Sequence, residues 1–266
     1  MQVSMEGRAA LITGGSRGLG LAMANKFAGA GADVAMVARR PEVLEEARVQ
    51  VEAAGREAGF EGLKVLAIPG DVGSAETVNA AFEQAVAGLG RVDVLVNNAG
   101  TSRTGPFESH DDAAWQDDID LKLFAAVRLC RLALPGMKER RWGRVINVLN
   151  SGAKAPPAHG APTAVSRAAG MALTKILASE YAPHNVLINA LCTGILVTEQ
   201  WEWRHERLAP DSTFEDFVTE QGKIVPLGRM GHPDEFANLA CFLASDAGSY
   251  ITGCAINVDG GKSPVV

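Results

Sequence analysis

The feature that most constrains this chain is an alternation. Short apolar runs recur between longer stretches of helical periodicity. The runs are AALIT (9–13), DVAMVA (33–38), KVLAIP (64–69), VDVLVNN (92–98), RVINVL (144–149), VLINALC (186–192) and AINVDG (255–260). Each is rich in valine or isoleucine and bounded by glycine, asparagine or aspartate, as suits strands buried on both faces. Amphipathic patterns near 18–30, 41–58, 74–88, 111–141, 161–182 and 233–245 predict the intervening helices. Strand–helix alternation predicts a parallel sheet with helices on both sides, and right-handed crossovers make it doubly wound. The expectation is an α/β fold with about seven parallel strands.

One segment breaks the rhythm. Residues 196–223 hold Trp201, Trp203, His205 and Phe214 among many charges and are expected to form an irregular or short-helical lid. No repeat, low-complexity tract or linker interrupts the remainder, so 1–266 reads as one domain. The net charge of −6 argues against nucleic-acid and anionic-membrane partners. No run approaches the roughly 20 apolar residues of a spanning helix. The opening MQVSMEGRAALITGG lacks a basic stretch followed by an apolar run, so a cytoplasmic protein is expected. Cys130, Cys192, Cys241 and Cys254 are widely spaced and sit in apolar or helical contexts. They are read as buried reduced thiols, with no metal site.

The segment TGGSRGLG (13–20) follows the first predicted strand and opens a helix. That context turns a weak glycine pattern into a dinucleotide cradle, and the fold expectation becomes Rossmann-type. Gly14, Gly18 and Gly20 permit a tight turn and close approach of a diphosphate. The amides around Ser16, Arg17 and Leu19 then face it at the helix N-terminus. The second strand ends in VARRPEVL, with no acid to hold ribose hydroxyls. Arg39 and Arg40 stand there instead, with Arg17 nearby. Guanidinium groups suit a 2′-phosphate, so NADP(H) is favoured over NAD(H).

With these motifs, the chain resembles the short-chain dehydrogenase/reductases of the 3-oxoacyl-carrier-protein-reductase type. The likeness also rests on GDV (70–72), NNAG (97–100), GRVINV (143–148) and VPLGRMGHPDEFANLACFLASDAGSYITGCAINVDGG (225–261). The resemblance implies that Asp71 and Val72 border the adenine and that Asn98, Ala99 and Gly100 lie beside the ribose. Gly194 and Thr198 would lie near the nicotinamide. It also implies a tetramer built on the helices near 111–141 and 161–182 and on the last strand. A homotetramer is expected, with a hetero-oligomer as the alternative.

The family's catalytic set is Asn, Ser, Tyr and Lys. The matching positions here hold Asp120, Asn150, Thr163 and Arg167. The chain has two tyrosines, Tyr181 and Tyr250, and neither has a lysine four residues on, so no shift of alignment restores the set. Threonine cannot act as a phenol would, because its hydroxyl is far less acidic and shorter in reach. Arg167 could hold a ribose but stays protonated. Asn150 could polarise a carbonyl. The charge of Asp120 is expected to pair with Arg167 or Lys122. Replacement groups are Ser151 and His159, with Lys154 a weaker one, and His159 is the acid/base candidate. The expected function is an NADP(H)-dependent oxidoreductase on an unidentified small carbonyl or alcohol, with His159 or an ordered water supplying the proton. The alternative is an inactive nucleotide-binding sensor or partner subunit. Halohydrin dehalogenases resemble this family and carry arginine at the lysine position. They keep Ser and Tyr and lose the glycine cradle, the opposite of this chain on both counts.

Overall fold

The computed structural model describes residues 3–266. Seven strands, β1 (Ala9–Thr13), β2 (Asp33–Ala38), β3 (Val65–Pro69), β4 (Val94–Asn97), β5 (Gly143–Asn150), β6 (Val186–Thr193) and β7 (Ala255–Val258), form one sheet. Its order is β3-β2-β1-β4-β5-β6-β7, and every pairing is parallel. The chain leaves β3 at one edge and returns to pair β4 with β1. The switch point therefore lies between β1 and β4, and ligands of such sheets bind outside the carboxyl ends of the strands there.

Each strand divides its side chains between two cores, as period 2 requires. Ala10, Ile12, Val94, Val96 and Ile146 pack with α1 (Gly18–Ala28), α2 (Pro41–Glu57) and α9 (Pro233–Ala244). Leu11, Leu95 and Val145 pack with α3 (Ala75–Leu89), α5 (Ala125–Glu139) and α6 (Thr163–Tyr181) on the other face. Phe27, Phe236 and Leu11 are fully buried. Burial of each such side chain contributes about 1.5–3 kcal/mol. This double burial is why the strands read as continuous apolar runs rather than alternating ones.

The helix expected over 111–141 is interrupted. It consists of α4 (Asp112–Ile119), a π turn at Asp120–Phe124, and α5. Ala125 N–H donates to the Asp120 carbonyl, five residues back. The π turn inserts a residue and rotates the side chains that follow it, a distortion often found at functional sites. The 196–223 excursion takes the short-helical form, with α7 (Glu199–Leu208) and α8 (Phe214–Gly222). Cys130, Cys192 and Cys241 are buried, but Cys254 is exposed just before the edge strand β7, contrary to expectation. Among the described residues no helix is long and apolar enough to cross a membrane.

At the amino ends of the strands the core contains a charge. Arg144 is 1% exposed on β5 and donates to the backbone carbonyl of Gly143 at 2.9 Å. Its guanidinium lies 4.3 Å from the centre of the Trp142 ring, and that of Arg8 lies 3.6 Å from it. Trp142 Nε1 donates to Asp246 at 2.9 Å. This cation–π stack clamps the end of the sheet remote from the switch point.

Candidate active site

The cradle begins where β1 ends. Thr13 Oγ1 accepts from the amides of Asn98 and Ala99 at 3.0 Å each, and it donates to the Val96 carbonyl at 3.3 Å. Asn98 Nδ2 donates to the carbonyls of Thr13 and Gly14 at 2.9 and 3.2 Å. The tips of β1 and β4 are thus tied together beneath the glycine turn. A Cβ on Gly20 would sit 2.0 Å from the Gly14 carbonyl oxygen, so the turn closes only over glycine. Gly14 has φ +66° and Gly18 φ +52°. Arg17, the residue before α1, is extended and offers no side-chain cap, and no acid occupies the first turn. The amides of that turn are left for an anion, which is the condition a bound diphosphate needs.

Two adjoining cavities line the carboxyl edge. The smaller, of about 160 Å³, is bounded by Arg39, Arg40, Asp71 and Val72, and by Leu121 from the π turn. The larger, of about 380 Å³, runs from Ser16, Arg17, Gly18 and Leu19 past Asn98 to Asn150, Thr163, Arg167, Gly194 and Thr198. They share Gly14, Ser16, Arg40, Ala99, Gly100 and Thr101. Asp71 Oδ1 accepts from the Gly73 amide at 3.0 Å, which shapes the turn beside the smaller cavity. A Cβ on Gly194 would lie 2.5 Å from Asp259 Cα, so the chain passes β7 there only as glycine.

The wall at the far end differs from expectation in its polar connections. Thr163 is 3% exposed. Its hydroxyl donates to the Arg103 carbonyl at 2.8 Å and accepts from the Arg103 amide at 2.9 Å and from Lys122 Nζ at 2.7 Å. Lys122 also forms an ion pair with Asp118, whose other oxygen accepts from Ser166 Oγ at 2.7 Å. Burial lowers the Lys122 pKa to about 8, against the raising effect of Asp118. Asp120 does not pair with Arg167 or Lys122. It accepts from Arg128 Nη2 at 2.9 Å and from Gln116 Nε2 at 2.8 Å, because the π turn swings it away from the cleft. Arg167 donates to the Val148 carbonyl and packs on Gly100, where a Cβ would come within 2.5 Å of its Nη2. Burial lowers its pKa to about 10, partly offset by Asp118, and it remains a cation at neutral pH.

The candidate replacement groups lie elsewhere. His159 is exposed, has φ +61° and does not line the cleft, and its carbonyl accepts from the Gly105 amide at 2.9 Å. Ser151 opens a short 3₁₀ turn, and its carbonyl accepts from Lys154 and Ala155; neither its side chain nor that of Lys154 lines the cleft. The loop after β5 turns His159 outward and leaves Ser151 and Lys154 half-buried off the cleft, while Asn150 stays at the strand tip. The Asn150 side-chain oxygen is buried with no partner, so its carboxamide is uncommitted at the mouth of the cleft.

Comparison with known proteins decides the family. A family model described as Enoyl-(Acyl carrier protein) reductase matches residues 14–263. Oxidoreductase UcpA of Salmonella typhimurium is 35% identical over 97% of this chain and 95% of its own length. The chain belongs to the short-chain dehydrogenase/reductase family. The 3-oxoacyl-[acyl-carrier-protein] reductase FabG of Aquifex aeolicus is a further relative, 31% identical over 98% of this chain and 99% of its own. Among solved structures, L-sorbose reductase of Gluconobacter frateurii, complexed with NADPH and L-sorbose, superposes with a TM-score of 0.93. It is 33% identical and covers 100% of both chains. The sheet order and carboxyl-edge cleft are therefore those of a short-chain oxidoreductase fold that binds NAD(P).

Within that fold α7 borders the larger cavity. Trp201 and Trp203 both line it. Trp201 also packs on Phe217, with ring centroids 6.2 Å apart. His205 is held away from the cleft between Phe214 and Phe217, its Nε2 donating to the Ser212 carbonyl at 2.8 Å. Arg17 pairs with Glu199 at 3.7 Å, joining the glycine turn to the start of α7. Burial raises the pKa of Glu199, and Arg17 opposes the rise. Sequence reasoning missed Asp118, Ser166 and Leu121 altogether and gave Lys122 only as a partner for Asp120. A charged Asp-x-x-x-Lys pair on a helix reads as an exposed i,i+4 couple. Only the π turn and the packing of α6 put it inside.

Proposed function

We propose that the protein is an NADP(H)-dependent oxidoreductase that interconverts a small carbonyl compound and its alcohol, with solvent supplying the proton. One observation carries the reading: an open cleft leads without interruption from Arg39 and Arg40 past the bare α1 N-terminus to the uncommitted Asn150 carboxamide. Arg39 and Arg40 suit the 2′-phosphate, since Arg17 is already paired with Glu199. Arg167 is positioned to hold ribose hydroxyls, and Thr198 and Gly194 border the nicotinamide end. The bound nicotinamide supplies a hydride donor or acceptor. Asn150 donates to the carbonyl oxygen and stabilises the charge that develops there. The Thr163 hydroxyl is saturated and cannot give up a proton. Because His159 faces solvent, water reaching the cleft mouth protonates the alkoxide.

The saturated Thr163 hydroxyl also favours a second reading, a nucleotide-binding sensor or partner subunit without turnover. Incubation with NADPH deuterated at C4 and a panel of ketones and aldehydes separates the two. Deuterium in a product alcohol supports the oxidoreductase. Tight NADPH binding with no transfer to any member supports the sensor. Exposed Phe124, Val165 and Ile176, on the π turn and α6, suit the helical interface of a homotetramer. A hetero-oligomer would instead leave the purified chain as a smaller species by light scattering.

A further inference from the structure

Arg204 is a cleft-lining cation with no anionic partner among the described residues. It projects from the second turn of α7 and lies 4.6 Å from the centre of the Trp201 ring. Among the described residues it has no ion pair and donates no hydrogen bond, although it is half-buried. Burial and neighbouring Arg207 lower its pKa, so an anion brought to it would relieve an existing cost. Two of the other cleft arginines have partners, and the third borders the smaller cavity as well. Arg17 faces Glu199, Arg167 is held by the Val148 carbonyl, and Arg40 belongs also to the cavity beside Arg39. Arg204 lines only the larger cavity, together with Asn150, Trp201 and Trp203. Among the described residues the one acid lining that cavity, Glu199, pairs with Arg17. In a chain of net charge −6, this end of the cleft is a local cationic site.

Resting on the oxidoreductase reading above, we propose that Arg204 is a specificity-determining residue that binds an anionic group on the substrate. The substrate class is then a carbonyl compound bearing a carboxylate or a phosphate monoester. Its carbonyl faces Asn150 and its chain lies along Trp201 and Trp203. The guanidinium already lies over the Trp201 ring, so less rotamer freedom is lost when the anion binds.

The test is calorimetric and needs no turnover. Protein saturated with NADP⁺ is titrated with 4-oxopentanoate and its methyl ester, and with dihydroxyacetone phosphate and dihydroxyacetone. Tighter binding of either anion than of its neutral partner, by about 10- to 100-fold, is the expected result for a charge-assisted contact. Whichever anion binds identifies the source of charge. Arg204→Gln is expected to abolish that preference and Arg204→Lys to restore part of it, with the NADPH Kd within about twofold of the parent. Equal binding of anion and neutral partner in both pairs overturns the proposal, as does a preference that survives Arg204→Gln. A parallel loss of NADPH affinity in Arg204→Gln overturns it too, because the guanidinium would then serve the cofactor. Failure of the parent protein to bind NADPH or NADP⁺ would instead refute the oxidoreductase reading itself.

Discussion

Removing one member of the buried pair behind the cleft wall should cost far more than removing both. The Lys122 side chain is 0% exposed and that of Asp118 2%. Breaking a buried ion pair by deleting one partner typically costs about 3–5 kcal/mol. The site gives a similar figure by another route. In Asp118→Asn, Lys122 would have only the Thr163 hydroxyl and would shed its proton, and neutralising a lysine at pH 7.5 costs about 4 kcal/mol. In Lys122→Met, Asp118 keeps Ser166 as a donor, and neutralising it costs about 5 kcal/mol. The double variant Asp118→Asn/Lys122→Met retains the Ser166 contact and buries no charge at either position, so even with the Asp118 support of Arg167 lost it should lie within about 2 kcal/mol of the parent. At about 2–4 °C per kcal/mol for a chain near this size, each single change should lower Tm by roughly 8–20 °C. The assay is thermal unfolding by circular dichroism and calorimetry, at one protein concentration and without nucleotide, since oligomerisation and ligands both move Tm. The reasoning is refuted if the two single losses simply add in the double variant, or if either single change moves Tm by less than about 2 °C.

The same lysine gives a pH signature. Its folded pKa of about 8 lies below its ordinary 10.5. The unfolded state therefore holds the proton more firmly between those values, and stability relative to Lys122→Met should rise from pH 8 to 10.5, by at most about 3 kcal/mol. Urea midpoints that stay parallel across that range would contradict this. Gly20→Ala puts a methyl 2.0 Å from the Gly14 carbonyl and should abolish the calorimetric NADPH signal by distorting the turn. Loss of Arg39 and Arg40 together should weaken NADPH by about 10- to 100-fold and leave NADH nearly unchanged, as read by fluorescence titration. Once a substrate is found, Asn150→Ala should lower kcat by about 10²–10³ with the NADPH Kd unchanged, while His159→Ala should leave kcat untouched.

Much of the fold was legible because its determinants are local. Apolar runs of strand length separated by helical periodicity admit few arrangements, and the glycines at 14, 18 and 20 mark a turn that side chains cannot enter. The strands, the glycine turn and the placing of Arg39 and Arg40 at the end of β2 follow from residues close together in the chain. Other features depended on contacts between distant segments. Nothing in DDIDLKLF announces a π turn, since the same letters suit an unbroken helix. Yet that turn sends Asp120 out to Arg128 and brings Lys122 in to Thr163. The loop after β5 likewise turns His159 to solvent, which spacing from Asn150 could not reveal.

The sequence by itself determined a doubly wound sheet with a nucleotide cradle at its switch point, because backbone sterics and hydrophobic periodicity act over a few residues at a time. Tertiary structure alone decided which polar groups face the cleft and which are spent on one another. Hydrogen-bond saturation and desolvation depend on what packs against a side chain from elsewhere in the fold, and here α6 packs against the π turn to bury a lysine, an aspartate and a threonine together.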